Sequence, residues 1–415
     1  QSLAPVGWCP SGAYLQARPD FYKDPAIFGG AYYVQEASSM FLDHVLRTFG
    51  DFSTPMKVLD LCAAPGGKST LINSLLNEQH LLVSNEIVSK RISALQENLM
   101  RWGHSNYVVS NNAPADFANL RDYFDTIVTD APCSGEGMFR KDPGAVDYWS
   151  ENLVKSCAVR QWHILQDIVG SLKPGGLLVY STCTFSPDEN EDIVRQLAET
   201  GSFRPVQVPL EPQWGITETV VATSEGEFAG YRFYPHKARG EGFFMACLQR
   251  TLADSSGRPP RKKRKKFVLE PLPKKFLRYV EPWLQQPQKF SFMLHGDDLY
   301  AIPTALKPAV LHLADLLNLR SFGLLLGKFR NQKLLPSHHL ALCRQLSDKI
   351  ATVELDYQQA VSYLKKLDFE LDLGSLKGWI VVKYQGVPLG WIKAVPGRFN
   401  NNYPKAFRLR KNFEF

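Results

Sequence analysis

Apolar and polar positions alternate regularly along the first half of the chain. Val58-Leu59-Asp60-Leu61 is a short apolar run, followed by the small-residue loop Cys62-Ala63-Ala64-Pro65-Gly66-Gly67 and the apolar helical positions Leu71, Ile72, Leu75 and Leu76. The unit recurs. Leu81 to Asn85 leads to Glu86 and a helix from Ile87 to Trp102, and Tyr107 to Val109 leads to Asn111-Asn112. Phe124 to Asp130 precedes a helical stretch from Glu151 to Leu172, and Leu177 to Ser181 precedes a helix from Ile193 to Glu199. Strands alternating with helices predict a doubly wound, mainly parallel sheet. Ligands of such sheets sit at the carboxyl ends of strands. Asp60, Glu86, Asn112, Asp130 and Ser181 all fall there.

The pattern changes on either side. Gly29 to Met40 mixes Tyr32, Tyr33, Gln35 and Ser39 ahead of the amphipathic helix Phe41-Leu42-Val45-Leu46, and suits either an adenine pocket or a plain helix cap. Glu218 to Gln249 reads as β-hairpin closure. Ser255-Ser256-Gly257, Pro259-Pro260 and a basic run mark a linker. Phe267 to Asn331 breaks short apolar runs with Pro and Gly; Leu340 to Leu367 reads as helical; Gly378 to Arg410 is β-rich. The predicted division is 1–250, a linker at 251–266, a small mixed α/β domain at 267–335, and a β domain at 336–415.

Composition narrows the class. A chain of 415 residues, 44% hydrophobic, is globular and long enough for two or three domains. No apolar run is long enough to span a bilayer, and no basic n-region followed by an apolar h-region stands at Gln1. Gln1 is not a start methionine, so further sequence is expected upstream. Seven cysteines without a C-x-x-C spacing suit reduced thiols in a cytoplasm and no zinc cluster. His338-His339 reads as a solvated pair. A monomer is expected. Net charge is +7, but Arg258 to Lys266 and Gly374 to Phe415 each contribute +7, leaving −7 for the remainder. Such local positive patches suit a polyanion.

The loop after Val58 to Leu61 has the form of a nucleotide cradle, with Ser69 as the expected helix cap. It lacks the G-x-G-x-x-G of a dinucleotide site. It matches only the end of a P-loop, since Cys62 stands where the first glycine belongs. S-adenosylmethionine, which needs close backbone approach and carboxylates for its hydroxyl and amino groups, is the third contender. Glu86, at a strand tip where ribose hydroxyls are gripped, favours it.

Two cysteines follow strands at this same edge, in Asp130-Ala131-Pro132-Cys133-Ser134-Gly135 and Ser181-Thr182-Cys183-Thr184. A methyl donor beside thiols suits carbon 5 of a pyrimidine, which becomes nucleophilic once a thiolate adds to carbon 6. Asp130 can share a proton with the ring nitrogen, and Lys68 supplies local positive charge. The base must leave its stack, which costs on the order of a few kcal/mol and favours unpaired RNA.

These two cysteine motifs, with Val58 to Ser69, resemble the signatures of the NOL1/NOP2/Sun family of RNA 5-cytosine methyltransferases. Gly135 to Lys141, Pro388 to Trp391 and Asn402 to Lys405 resemble its bacterial branch acting on small-subunit ribosomal RNA. The resemblance implies a Rossmann-like S-adenosylmethionine-dependent methyltransferase domain, a small mixed domain and a C-terminal PUA-like RNA-binding β domain. It implies Cys183 as nucleophile and Cys133 as the thiol that serves product release. It implies cofactor contacts from Cys62, Ala63, Ala64, Pro65, Gly66, Gly67, Lys68, Glu86, Asn112 and Asp130, and ribosomal RNA in the small subunit as partner. The family often has an acid where Asn112 stands, and carries an RNA-binding segment of which a remnant precedes Val58. Transfer RNA as substrate and a catalytically silent RNA-binding factor are the competing readings. In the last domain, Trp391, Phe399, Tyr403 and Phe407 lie among basic residues and are either base-stacking faces or core, the alternation from Trp379 to Tyr384 implying that several aromatics are buried; RNA contact is the expectation. Ending the chain before Phe267 is expected to spare cofactor binding.

Overall fold

The computed structural model describes residues 3–251 and 268–411. The basic run Arg258 to Lys266 lies outside them. The first half forms the doubly wound sheet. Five parallel strands run side by side in the order Tyr107–Ser110, Leu81–Asn85, Lys57–Asp60, Phe124–Asp130 and Leu172–Thr182. Phe243–Arg250, Gly226–Phe233 and Thr217–Thr223 continue the sheet antiparallel. Val58, Leu59, Leu82, Val83, Ile127, Val128, Leu178 and Val179 are all buried. That is why these strands read as continuous apolar runs: helices cover both faces. The chain reverses direction across the sheet between Lys57–Asp60 and Phe124–Asp130, so a crevice opens at the carboxyl ends of those two strands.

The helix after the first strand runs Gly67–Leu75. Ser69 does not cap it. Gly66, with φ +116°, occupies the cap position, so Ser69 falls inside the first turn. Its hydroxyl donates instead to Asp60 Oδ2 at 2.6 Å and lies 2.8 Å from Ser84 Oγ, tying two strand ends to the helix.

The second half does not stand apart from this sheet. Strand Leu319–Phe322 pairs antiparallel with Tyr107–Ser110 and becomes its outermost member. Met293, Ile302, Leu306, Val310, Leu313 and Phe322 share one apolar core with Leu59, Val83 and Val108. A second sheet holds Glu270–Pro271, Phe290–His295, Asp298–Pro303, Leu324–Arg330 and Lys333–Pro336. A third holds Thr352–Glu354, Gly378–Tyr384, Val387–Val395 and Arg398–Asn401.

Three expectations for this half change. Leu340 to Leu367 is not one helix: His338–Leu342 and Tyr357–Lys365 are separated by strand Thr352–Glu354. Asp356 starts the second helix afresh, accepting the Gln359 N–H while Gln359 Oε1 takes the Asp356 N–H. His338 and His339 are not solvated. His339 is buried and accepts the Leu325 N–H at 3.3 Å. Burial, with Arg101 and His339 nearby, pushes His338 down to about 3; burial pushes His339 to about 4. Trp391 and Tyr403 are not free to stack on bases, each being only 2% exposed. The Trp391 indole N–H donates to Ser337 O at 2.7 Å, and the Tyr403 ring packs against Tyr363.

Candidate active site

The first strand delivers Asp60 to the crevice, fully buried, with Oδ1 lacking any hydrogen-bond partner. Burial pushes its carboxyl up to about 7. The loop from Cys62 to Gly67 is held from behind: Arg91 Nη2 donates to Ala64 O at 2.5 Å and Asn98 Nδ2 to Pro65 O at 2.9 Å. Gly66 needs its positive φ, and a Cβ at Gly67 would meet the Tyr33 ring at 3.0 Å. A cavity of about 180 Å³ lies in front of the loop, walled by Cys62 to Pro65, Gly67, Lys68 and Asp130 on one side. Tyr33, Val34, Gln35, Glu36 and Ser39 form the other wall. The Gly29 to Met40 stretch thus comes to the loop. No local pattern marks Val34 or Glu36 as site residues, because only the folded chain brings that segment there.

Glu86 and Asn112 stand at neighbouring strand ends but do not line this cavity. Glu86 is buried; Oε1 accepts the Val88 N–H at 2.8 Å and Oε2 lies 3.2 Å from Arg91 Nη1. The Asn112 amide is occupied at both ends. Its nitrogen donates to Asp116 Oδ2 at 2.8 Å and its oxygen accepts the Asn318 N–H at 2.9 Å.

On the far side of the cavity Lys68 Nζ lies 2.8 Å from Asp130 Oδ2, and the Ser181 hydroxyl donates to Asp130 Oδ1 at 2.8 Å. Burial opposes the charge on Lys68, but Asp130 outweighs it and raises the ammonium above its usual value. Beyond Asp130 the two cysteines meet. Asp130 and Ser181 are register partners on adjacent parallel strands, so Cys133 and Cys183 leave the sheet side by side. Their sulfurs are 3.2 Å apart, and the Cys183 N–H points at Cys133 Sγ at 3.3 Å. The pair shares a proton unequally. A hydrogen bond from the Cys133 thiol lowers Cys183, with Lys68 assisting against burial and Asp130, while the same bond and burial raise Cys133. Thiolate therefore gathers on Cys183. Cys62 is different: burial and the surrounding carboxylates push its thiol far up, which leaves it protonated and unreactive.

Comparison with known proteins agrees with this arrangement. Residues 52–249 match the family model of the 16S rRNA methyltransferase RsmB/F, and residues 350–409 match the methyltransferase RsmF PUA domain. Ribosomal RNA small subunit methyltransferase F of Vibrio vulnificus (strain YJ016) is 32% identical, over 99% of this chain and 87% of its own. The chain belongs to the RsmB/F family. The corresponding protein of Shewanella loihica is 31% identical over 97% of this chain and 83% of its own. A solved methyltransferase homologue from Pyrococcus horikoshii, 28% identical, covers 60% of this chain and 78% of its own with a TM-score of 0.50. The large sheet is thus the family's Rossmann-like methyltransferase domain, and the last sheet lies in its PUA domain. The family's cofactor is S-adenosylmethionine. The site suits it: the small-residue loop walls the cavity, and the strand that leads into that loop ends in the orphaned buried carboxylate oxygen of Asp60. Among the described residues no helix is long and apolar enough to cross a membrane.

Proposed function

We propose that this protein methylates carbon 5 of cytosine in small-subunit ribosomal RNA through a transient bond between Cys183 and carbon 6 of the base. The observation that carries the reading is the 3.2 Å contact between two thiols beside the cavity, one driven toward thiolate and the other toward thiol. The Cys183 thiolate adds to carbon 6, and the electron pair displaced through the ring makes carbon 5 nucleophilic. Asp130, gripped by Lys68 and Ser181, is placed to accept a hydrogen bond from the ring nitrogen once that nitrogen takes a proton from solvent as the charge develops, and the proton returns to solvent when the ring double bond reforms. Cys62 to Lys68, with Glu86 and Asp60 nearby, would hold S-adenosylmethionine, which when bound would supply the methyl group that carbon 5 takes and leave as S-adenosylhomocysteine. Once Cys183 is bound to carbon 6, Cys133 gives its own thiol proton to solvent and takes the proton from carbon 5; the electron pair reforms the ring double bond, and Cys183 leaves carbon 6 as thiolate.

The test separates the thiols. Cys183→Ser should abolish methyl transfer and form no adduct. Cys133→Ser should still add and transfer but release slowly, so a protein–RNA adduct should survive denaturing electrophoresis. An adduct with Cys183→Ser would reverse the roles. Bisulfite sequencing of ribosomal RNA from a deletion strain would overturn the substrate if no cytosine changed.

A further inference from the structure

The reaction leaves two carboxylates beside the thiols without a task. Glu136 lies on the loop that carries Cys133, and Glu189 lies after the loop that carries Cys183. Each reaches across to the other's loop. Glu189 is fully buried, and its carboxylate accepts the Ser134 N–H at 3.0 Å, the Ser134 hydroxyl, and Gln161 Nε2 at 2.7 Å. Glu136 Oε2 accepts the Phe185 N–H at 2.8 Å and the Thr184 hydroxyl at 3.0 Å, while Oε1 accepts the Trp149 indole N–H at 2.8 Å. Between them the Ser134 and Thr184 hydroxyls meet at 2.9 Å, and the Gly137 N–H donates to Cys183 O at 2.8 Å.

We propose that Glu136 and Glu189 are positioning residues, a reciprocal pair that fixes the separation of Cys133 and Cys183 and thereby the ionisation of Cys183. The physical case is geometric. Loops at strand ends have no ladder to hold them, yet a hydrogen bond weakens steeply as its donor turns away from the acceptor. Carboxylates accepting backbone N–H groups give charge-assisted bonds, the strong kind, at Ser134 and Phe185, the residues adjacent to Cys133 and next but one to Cys183. A buried carboxylate such as Glu189 is costly unless hydrogen-bonded, so losing its bonds to Ser134 and Gln161 would force the loop to move. A contribution to fold stability alone would predict lost stability with the thiols unchanged. Positioning predicts that the thiols themselves change.

The inference rests on Cys183 being the nucleophile, but its readout does not need RNA. In the full chain, the rate of iodoacetamide alkylation at Cys183, followed by peptide mass spectrometry across pH, reports its ionisation. Glu189→Gln and Glu136→Gln keep the side-chain shape and one acceptor oxygen. Each should raise the pH midpoint of Cys183 alkylation by about one unit, and each should lower kcat roughly 10–100-fold, the scale for a small misplacement of a reacting group. The dissociation constant for S-adenosylhomocysteine should not change, since neither carboxylate lines that cavity or pairs, as Glu86 does, with the Arg91 that holds its loop. Glu189→Asp, which keeps the charge one methylene short, should recover part of both effects. A variant with a lower melting temperature but an unshifted alkylation profile overturns the proposal. So does unchanged kcat in both variants. If the profile shifts but no cytosine methylation is found in the parent enzyme, the positioning stands and the substrate reading fails.

Discussion

The Asn318 N–H donates to the side-chain oxygen of Asn112 at 2.9 Å, and the Asn111 N–H donates back to Asn318 O at 3.0 Å. These bonds seat the strand Leu319–Phe322 against the methyltransferase sheet, at the strand end that leads to Asn112. The second half of the chain is therefore part of the catalytic half's construction.

A chain ended before Phe267 should consequently fail as an isolated catalytic unit, contrary to the expectation that cofactor binding is spared. Truncation exposes Tyr107 to Ser110 as a bare edge and strips the shared core of Met293, Ile302, Leu313 and Phe322. Each such side chain contributes about 1.5–3 kcal/mol on burial. The truncated chain should aggregate or melt far below the full chain in a thermal scan. Within the intact chain, Phe322→Ala should cost about 3–5 kcal/mol by denaturant titration. A truncated chain with an unchanged melting temperature would show the two halves to be independent.

Cofactor binding is checked by isothermal titration. S-adenosylhomocysteine should bind one site, and ATP should not bind. Glu86→Ala should weaken that site by about 1–3 kcal/mol, the scale for a lost hydrogen bond to a charged group. The Arg91 side chain would also lose its ion partner, so Arg91→Ala is the control for a purely structural effect.

The thiol pair sets a pH dependence with a definite sign. A lowered Cys183 value keeps the thiolate, and methyl transfer, present to lower pH than an ordinary cysteine allows; activity falls as pH drops through that lowered value. Removing the donor in Cys133→Ala should move the acid limb of Cys183 alkylation to higher pH. No movement would mean that Cys133 does not tune its neighbour.

His338 and His339 give the fold an acid limit. Both are held neutral, at about 3 and about 4, whereas in the unfolded chain they protonate near pH 6.5. The unfolded state then binds more protons, so the stability they contribute is complete above about pH 6.5 and is lost as pH falls toward 4. The loss should approach about 1.4 kcal/mol per pH unit for each histidine. Denaturant titrations at successive pH values should show a shallower slope in His339→Gln.

RNA attraction in the last domain should come from its basic rim. Lys393, Arg398, Lys405, Arg408 and Arg410 are exposed, whereas Trp391 and Tyr403 are in the core. Replacing one such basic residue by Ala should lower affinity across sequences and reduce the salt slope by about 0.7–0.9 for each phosphate no longer neutralised. Trp391→Ala should instead lower stability by about 3–5 kcal/mol. A salt slope unchanged by several charge removals would mean that this face binds no phosphate.

Much of the site was legible in the amino-acid sequence because it is built from short-range rules. An apolar run, an acid at its end and a small-residue loop make a strand, its tip and a cradle without reference to anything distant, so the places of Asp60, the Cys62 to Lys68 loop, Glu86 and Asp130 at the strand ends were legible. Cys133 and Cys183 could be placed at one edge on the same grounds. That they touch is decided elsewhere, by the parallel register that sets Asp130 against Ser181. Long-range pairing also decided that Tyr33 and Glu36 wall the cavity, that Asn112 binds Asn318, and that Glu136 and Glu189 cross between loops. In the last domain alternation shows that one face of a strand is buried, but not which helix covers it. The burial of Trp391 followed only when helix His338–Leu342 was in place against its strand. Sequence settles what most segments of the catalytic sheet are, because that depends on neighbours a few residues away; tertiary structure settles which side chains meet, because that depends on partners 50 or 206 residues distant.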